Sequence, residues 1–183
     1  HIPIICFINK LDHPGRDPFD LVDEIERELH VGAVPMNWPI GNGPTFQGVF
    51  DLRNQQVLRF DRTAHGQSIA PVTVSGLDDP MLEDAIGPTA YSELREAAEL
   101  LEGAGAAFDR TRFDRGAVIP VFFGSAINNF GVEPFLKAVL ELAPPPSPRQ
   151  VHSDGKSFTL EPTSDTFTGF VFKIQANMDK RHR

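Results

Sequence analysis

Apolar positions along the chain fall into two kinds of run, and the contrast between them predicts the architecture. Residues 2–8 (IPIICFI) and 118–123 (VIPVFF) are continuous apolar stretches rich in β-branched and aromatic side chains, the pattern of strands covered on both faces in a parallel sheet. Each stops in a polar loop and is followed by apolar positions at helical spacing. After the first, Asp17 and Pro18 supply an N-cap and a first-turn proline, and Leu21, Val22, Ile25 and Leu29 form one stripe that ends near Gly32. After the second, Val132, Phe135, Leu136, Val139, Leu140 and Ala143 form another, stopped by Pro144, Pro145 and Pro146. Two strand–loop–helix units of an α/β domain are expected.

Residues 34–115 lie between these units as a large α+β insert. Residues 49–52 and 57–60, joined by Arg53, Asn54, Gln55 and Gln56, alternate as a hairpin; residues 72–74 offer a further strand; and residues 91–103, with Leu94, Ala97, Ala98 and Leu101 at helical spacing, predict a helix. Trp38 reads as core of this insert. His13, His30 and His65 show no H-x-x-x-H spacing and read as solvated or capping residues rather than metal ligands. At the prolines, the tract 143–157 (APPPSPRQVHSDGKS) lacks apolar periodicity and predicts an exposed linker.

In open α/β sheets ligands bind at the carboxyl ends of the strands, so the loops that follow the two buried runs carry the candidate chemistry. The first, Asn9-Lys10-Leu11-Asp12, fits N-K-x-D, and the second is Gly124-Ser125-Ala126. Guanine presents N1–H and its exocyclic N2 amine as adjacent donors, which one carboxylate accepts together, whereas adenine has an acceptor at N1 and no amine there. Asp12 is therefore the candidate guanine reader. Lys10 can lay its aliphatic stem along the base, Asn9 can tie neighbouring loops together, and the small Ser125-Ala126 turn brings backbone N–H groups towards the guanine O6.

The same stretch contains a rival. Asp12-His13-Pro14-Gly15 fits D-x-P-G, a motif of the Mg²⁺ and γ-phosphate side, and one aspartate cannot face both ends of a nucleotide. That motif needs its aspartate directly after a strand and works with a G-x-x-x-x-G-K-[ST] loop, which the chain does not contain. Pro14-Gly15 is better read as a turn. The glycine-rich residues 41–48 also fail as a phosphate cradle, because a strand follows them where a helix N-terminus is required; they read as a loop before the hairpin.

Composition narrows the class. The chain has 183 residues, 40% hydrophobic and 23% charged, enough for one domain or one and a half. Its single cysteine, Cys6, excludes a disulfide framework and a cysteine-ligated metal, which favours the cytoplasm. No apolar run approaches the roughly 20 residues of a membrane span. A net charge of -8 argues against a general nucleic-acid surface or sequence-specific DNA binding; the one concentrated basic run is residues 180–183. The sequence opens without Met and inside a strand, as an excerpt of a longer protein would.

Taken in order, NKLD, RDPFDLVDEIERELHVGAVPMNWPIG, FQGVFDL, VIPVFFGSAINNFGV, APPPSPR and FTGFVFKIQANMDKRHR resemble the translational GTPases over the whole chain, and most specifically their bacterial peptide chain release factor 3 group. Elongation factor G shares the earlier motifs, but its counterpart of the last segment reads differently. Lys180 departs from the group, which has proline there. The resemblance implies the C-terminal half of a P-loop GTPase domain in residues 1–33 and 116–143, the insert in 34–115, the linker in 144–165, and the first strand of a β-barrel domain in 166–183. It implies GTP and GDP as ligands, with Asn9, Lys10, Asp12, Ser125 and Ala126 on the base. Phosphate loop, Mg²⁺ ligands and catalytic histidine belong to a part of such proteins that this chain does not carry, so the chain alone is expected to be inactive. The implied partners are the ribosome and the decoding release factors, dismissed after peptide release, in the cytoplasm and away from any membrane. Two alternatives stand beside this reading: a translocase fragment like elongation factor G, and a non-catalytic module whose insert docks on protein or RNA.

Overall fold

A computed structural model describes residues 2–59, 76–105, 107–153, 155–169 and 171–174. The chain divides into two compact units, His1–Pro144 and Pro145–Arg183. In the first, β1 (Cys6–Ile8), α1 (Pro18–Leu29) and β2 (Gly32–Pro35) precede an antiparallel sheet of β3 (Asn37–Ile40), β4 (Gly48–Asp51) and β5 (Gln56–Arg59). Three helices follow, α2 (Pro80–Ile86), α3 (Pro88–Gly103) and α4 (Arg110–Asp114), and then β6 (Val118–Phe123) and α5 (Val132–Leu142) complete the unit.

The parallel sheet has the order β1-β6-β2. Central β6 is buried at all six positions, as its sequence predicts. Its side chains alternate: Ile119, Val121 and Phe123 join a core with α1 and the insert, while Val118 and Phe122 face Phe113 of α4 and Ala138 and Leu142 of α5. β1 differs from expectation. Only Cys6–Ile8 form the strand, all half-buried, and Ile2 and Ile4 are 83% and 48% exposed. The reason is position: among the described residues β1 pairs with β6 alone, so a sequence suited to a covered strand stands at a sheet edge.

Both helices after the strands form where expected. The Asp17 carboxylate accepts the Phe19 N–H at 2.8 Å, Pro18 occupies the first turn, and His30 closes α1 in the left-handed region at φ 54°. α5 is rotated relative to the predicted stripe: Ala138 and Leu142 are buried, while Leu136 and Leu140 are 53% and 85% exposed. That helix is apolar on two sides, and spacing alone does not say which side meets the sheet.

The insert folds onto the parallel sheet rather than apart from it. Trp38, Ile40, Val49, Phe50, Leu82 and Leu94 belong to the same buried cluster as Val22, Val121 and Phe123. Trp38 is core, with its ring 4.4 Å from Phe19 and 5.4 Å edge-on to Phe123. The hairpin appears as β4 and β5, and the helix as α3, which starts three residues earlier than predicted. Residues 41–48 are a loop with one 3-10 turn before β4. Phe60, His65 and the strand expected at 72–74 lie outside the described residues.

In the second unit, β7 (Arg149–Ser153) and β8 (Lys156–Leu160) form an antiparallel ribbon within the expected linker. Polar side chains also meet across it, Gln150 Nε2 to Thr159 Oγ1 at 2.6 Å and the Ser157 hydroxyl to His152 Nδ1 at 2.7 Å; its few apolar residues, Val151 opposite Phe158 and then Leu160, are too short a pattern to announce it. Residues 166–169 and 171–174 carry no strand, and Phe167, Val171, Phe172 and Ile174 are 77–96% exposed. A strand exists only against a neighbour, and none pairs with them among the described residues. The basic run 180–183 lies outside the described residues.

Candidate nucleotide-binding site

β1 and β6 end together, with Ile8 opposite Phe123, and their pairing continues into the loops. Gly124 N–H donates to the Ile8 carbonyl at 3.0 Å, and Leu11 N–H to the Gly124 carbonyl at 3.1 Å. Residues 9–12 and 124–126, separated by more than a hundred positions in sequence, are thus brought side by side at the carboxyl end of the sheet.

Asn9 locks them together. Its Oδ1 accepts from Ala126 N–H and from Lys10 N–H, both at 2.8 Å. Lys10 holds φ at 70°, a left-handed conformation seldom taken by a residue with a β-carbon, and its side chain is exposed. Leu11, the wildcard of the tetrapeptide, is 5% exposed and anchors the loop in the core.

Asp12 follows, with 16% of its side chain exposed. One oxygen, Oδ2, lies 3.4 Å from His13 Nε2; the other, Oδ1, is buried with no hydrogen-bond partner. The Ser125 hydroxyl beside it holds the carboxyl below the usual carboxylate range; burial opposes this, and the Asp12 backbone amide, His13 and Asn128 add to the lowering. Asp12 is therefore an anion at neutral pH. The arrangement can take a ligand edge that presents N–H donors, and it disfavours an edge that presents acceptors.

The second loop is built tightly. Ser125 is fully buried, its hydroxyl accepts from Asn128 Nδ2 at 3.0 Å, and its backbone pairs with Phe130 in both directions at 2.9 Å. A β-carbon on Gly124 would collide with the Phe130 carbonyl oxygen and come 2.8 Å from Phe7 Cζ. Gly131, at φ 75°, starts α5 where a side chain would stand 2.6 Å from the Phe123 carbonyl oxygen. The amides of both Ser125 and Ala126 already have partners, which sequence reasoning did not foresee. A ligand carbonyl reaches Ala126 N–H only if Asn9 yields it.

All five sequence-predicted residues, Asn9, Lys10, Asp12, Ser125 and Ala126, gather here. Sequence reasoning missed Asn128 and Phe130, which shape the second loop, and passed over Leu11 as a wildcard. The flanking glycines at 124 and 131 were the available signal, since each marks a place where backbone passes too close for a side chain. Clefts elsewhere are separate from this ledge: one of about 320 Å³ lies between Asn37, Arg53, Lys137 and Glu141, and another of about 610 Å³ between Phe19, Trp38, Glu93 and Leu100. Among the described residues no helix is long and apolar enough to cross a membrane.

Comparison with known proteins places the chain in a family. Residues 1–145 match the family described as the elongation factor Tu GTP binding domain. Over the whole chain, peptide chain release factor 3 of Gloeobacter violaceus is 48% identical across 182 residues, that of Synechococcus elongatus 49% across 183, and that of Nostoc punctiforme 50% across 182. The chain covers 34%, 32% and 33% of those relatives, so it spans about a third of their length. A crystal structure of a Thermus thermophilus protein, 21% identical, aligns over 78% of this chain and 22% of its own at a TM-score of 0.48. With most of its length matched by that family model, and with paired loops of the N-K-x-D and S-A type at the end of its parallel sheet, the chain belongs to the elongation factor Tu GTP-binding domain family.

Proposed function

We propose that this chain is the guanine-recognition part of a translational GTPase of the release factor 3 kind, which uses GTP on the ribosome to dismiss decoding release factors at termination. The observation that carries the reading is the anionic Asp12 carboxylate, beside the Ser125-Ala126 loop that Asn9 ties to residues 9–12. Guanine N1–H and the N2 amine are adjacent donors that one carboxylate accepts together. Lys10 lies along the base, and Ala126 N–H serves O6 when Asn9 gives it up. Relatives named peptide chain release factor 3, 48–50% identical over the full chain, favour this over a translocase like elongation factor G.

GTP, when bound, brings the phosphoanhydride bond that is hydrolysed; this chain's own residues only bind and orient the base. Phosphates and Mg²⁺ are assigned to a glycine-rich loop and acidic or hydroxyl ligands elsewhere in the longer protein, since no G-x-x-x-x-G-K-[ST] sequence occurs here. The assigned compartment is the cytoplasm.

The test is Asp12→Asn in a full-length protein carrying this segment. The amide replaces one acceptor oxygen with a donor, which opposes the guanine amine and suits the C2 carbonyl of xanthine. Loss of a charge-assisted pair costs on the order of 2–4 kcal/mol, so guanine affinity falls roughly 30-fold to 1000-fold while XDP and XTP gain. Mg²⁺ dependence stays as it was. Equal losses for guanine and xanthine nucleotides, with an altered Mg²⁺ response, would return Asp12 to the D-x-P-G role and sink the proposal.

A further inference from the structure

The insert meets the base-reading ledge through ring contacts such as Phe46 on Phe130 and through hydrogen bonds, and two residues that make such bonds, Asn37 and Gly43, fix the backbone of the two loops. The first is Asn37, at the start of β3, 2% exposed and buried in the core. Its Oδ1 accepts the Phe123 N–H at 2.7 Å and its Nδ2 donates to the Phe123 carbonyl at 3.1 Å. β2 pairs with β6 as far as Pro35 and Val121, and Met36 N–H still reaches the Val121 carbonyl at 2.8 Å. The backbone of Asn37 then leaves to pair with Asp51 of β4. Its side chain stays behind and supplies, in place of a strand, both hydrogen bonds that the last residue of β6 needs. Phe123 directly precedes Gly124-Ser125-Ala126.

The second is Gly43. Its N–H donates to the Leu11 carbonyl at 2.8 Å, and Leu11 is the residue between Lys10 and Asp12. At φ 58°, a β-carbon there would stand 3.0 Å from Pro14 N and 3.1 Å from Pro14 Cα, so only glycine lets the insert loop lie this close to the turn after Asp12. Leu11 N–H is bound to the Gly124 carbonyl, so the backbone of Leu11, through its N–H and its carbonyl, links the two loops and the insert.

We propose that the insert sets the spacing of the two base-reading loops through these contacts, and that Asn37 and Gly43 are positioning residues for guanine selectivity. Asn37 governs the Ser125-Ala126 side, and with it the contact to O6; Gly43 governs the Asp12 side, and with it the contact to the N2 amine. Anything that shifts the insert then shifts base selectivity. The inference rests on the base-reading function proposed above.

Two analogues separate the sides. 6-Thioguanosine diphosphate keeps N1–H and the amine but replaces O6 with a poor acceptor, whereas inosine diphosphate keeps O6 and lacks the amine. In the full-length protein, Asn37→Ala and the isosteric Asn37→Asp should each shrink the preference for GDP over 6-thio-GDP by about 3-fold to 10-fold, the size of one hydrogen bond, and leave GDP against IDP within twofold. Gly43→Ala should do the reverse. Val57→Ala, in the buried core of β5, lowers thermal stability and should leave both ratios alone. Folded Asn37→Asp protein with unchanged ratios, or Val57→Ala shifting them as much, overturns the positioning role while wild-type selectivity stands. A wild type that does not distinguish GDP from either analogue overturns the base-reading proposal and this inference with it.

Discussion

Asp12 is charged where most of its surroundings are protein, and its protonation is therefore linked to stability. Its carboxyl is held below the usual range, with the Ser125 hydroxyl as the first cause. A folded value below the unfolded one of about 3.9 means that the charged form's contribution is fully present above roughly pH 4 and is lost as pH falls through the folded value. Wild type should therefore lose more stability than Asp12→Asn between pH 5 and the lowest pH at which both fold; urea unfolding across that window checks it, and parallel curves would refute the linkage. Glycines give a second contrast at this scale. Gly124→Ala places a methyl against the Phe130 carbonyl and Phe7 and should destabilise by about 1–3 kcal/mol. Gly103→Ala, at the end of α3 with open space around it and no positive φ, should stabilise by about 0.4–1 kcal/mol.

Elements were legible in proportion to how much of their stability is local or one-sided. α1 and β6 carry their caps, stripe or continuous apolar run in their own residues. β2 was hidden because four residues ending in proline give too little pattern, and its partner β6 lies more than eighty positions away. β3 was hidden for the same reason, with Pro39 at its centre facing β4. Site residues divide the same way. Asn9, Lys10 and Asp12 belong to one tetrapeptide, whereas the hydrogen-bond partners of Asn37 and Gly43 are Phe123 and Leu11, distant in the chain, and nothing in the local sequence names them. One element contact can be measured directly. Arg53, in the turn between β4 and β5, makes a bidentate pair with Glu141 of α5 at 3.1 and 3.2 Å, and its guanidinium holds the Glu141 carboxyl below the usual range. Both side chains are about half exposed, so a double-mutant cycle with Ala should give only about 0.2–1 kcal/mol of coupling, falling with added salt. A coupling of several kcal/mol would mean that the pair is far better shielded than its exposure indicates.

At the scale of the whole chain, the insert and the parallel sheet share one buried cluster, while the ledge proposed to read the base stands open at the end of the sheet with Asn9, Lys10 and Ala126 exposed. An open ledge limits affinity. Each hydrogen bond to a base contributes about 0.5–1.5 kcal/mol net, somewhat more to a charged group, against an association cost of about 4–15 kcal/mol. In nucleotide-binding proteins phosphate contacts from a glycine-rich loop and helix N-terminus make up the difference. This chain has no such loop, and its net charge of -8 gives phosphates no general attraction. The 183-residue chain alone should therefore bind guanosine, GDP and GTP weakly, with Kd above about 0.1 mM. The three should agree within about threefold, because contacts confined to the base do not distinguish how many phosphates follow. No phosphate should be released from GTP. Titration calorimetry and a phosphate assay on the purified chain test this together. A submicromolar Kd for GTP, or affinity rising steeply from guanosine to GTP, would show that phosphate-binding groups lie within these residues after all, and that the division of the site between a base-reading part and a phosphate-holding part is drawn in the wrong place.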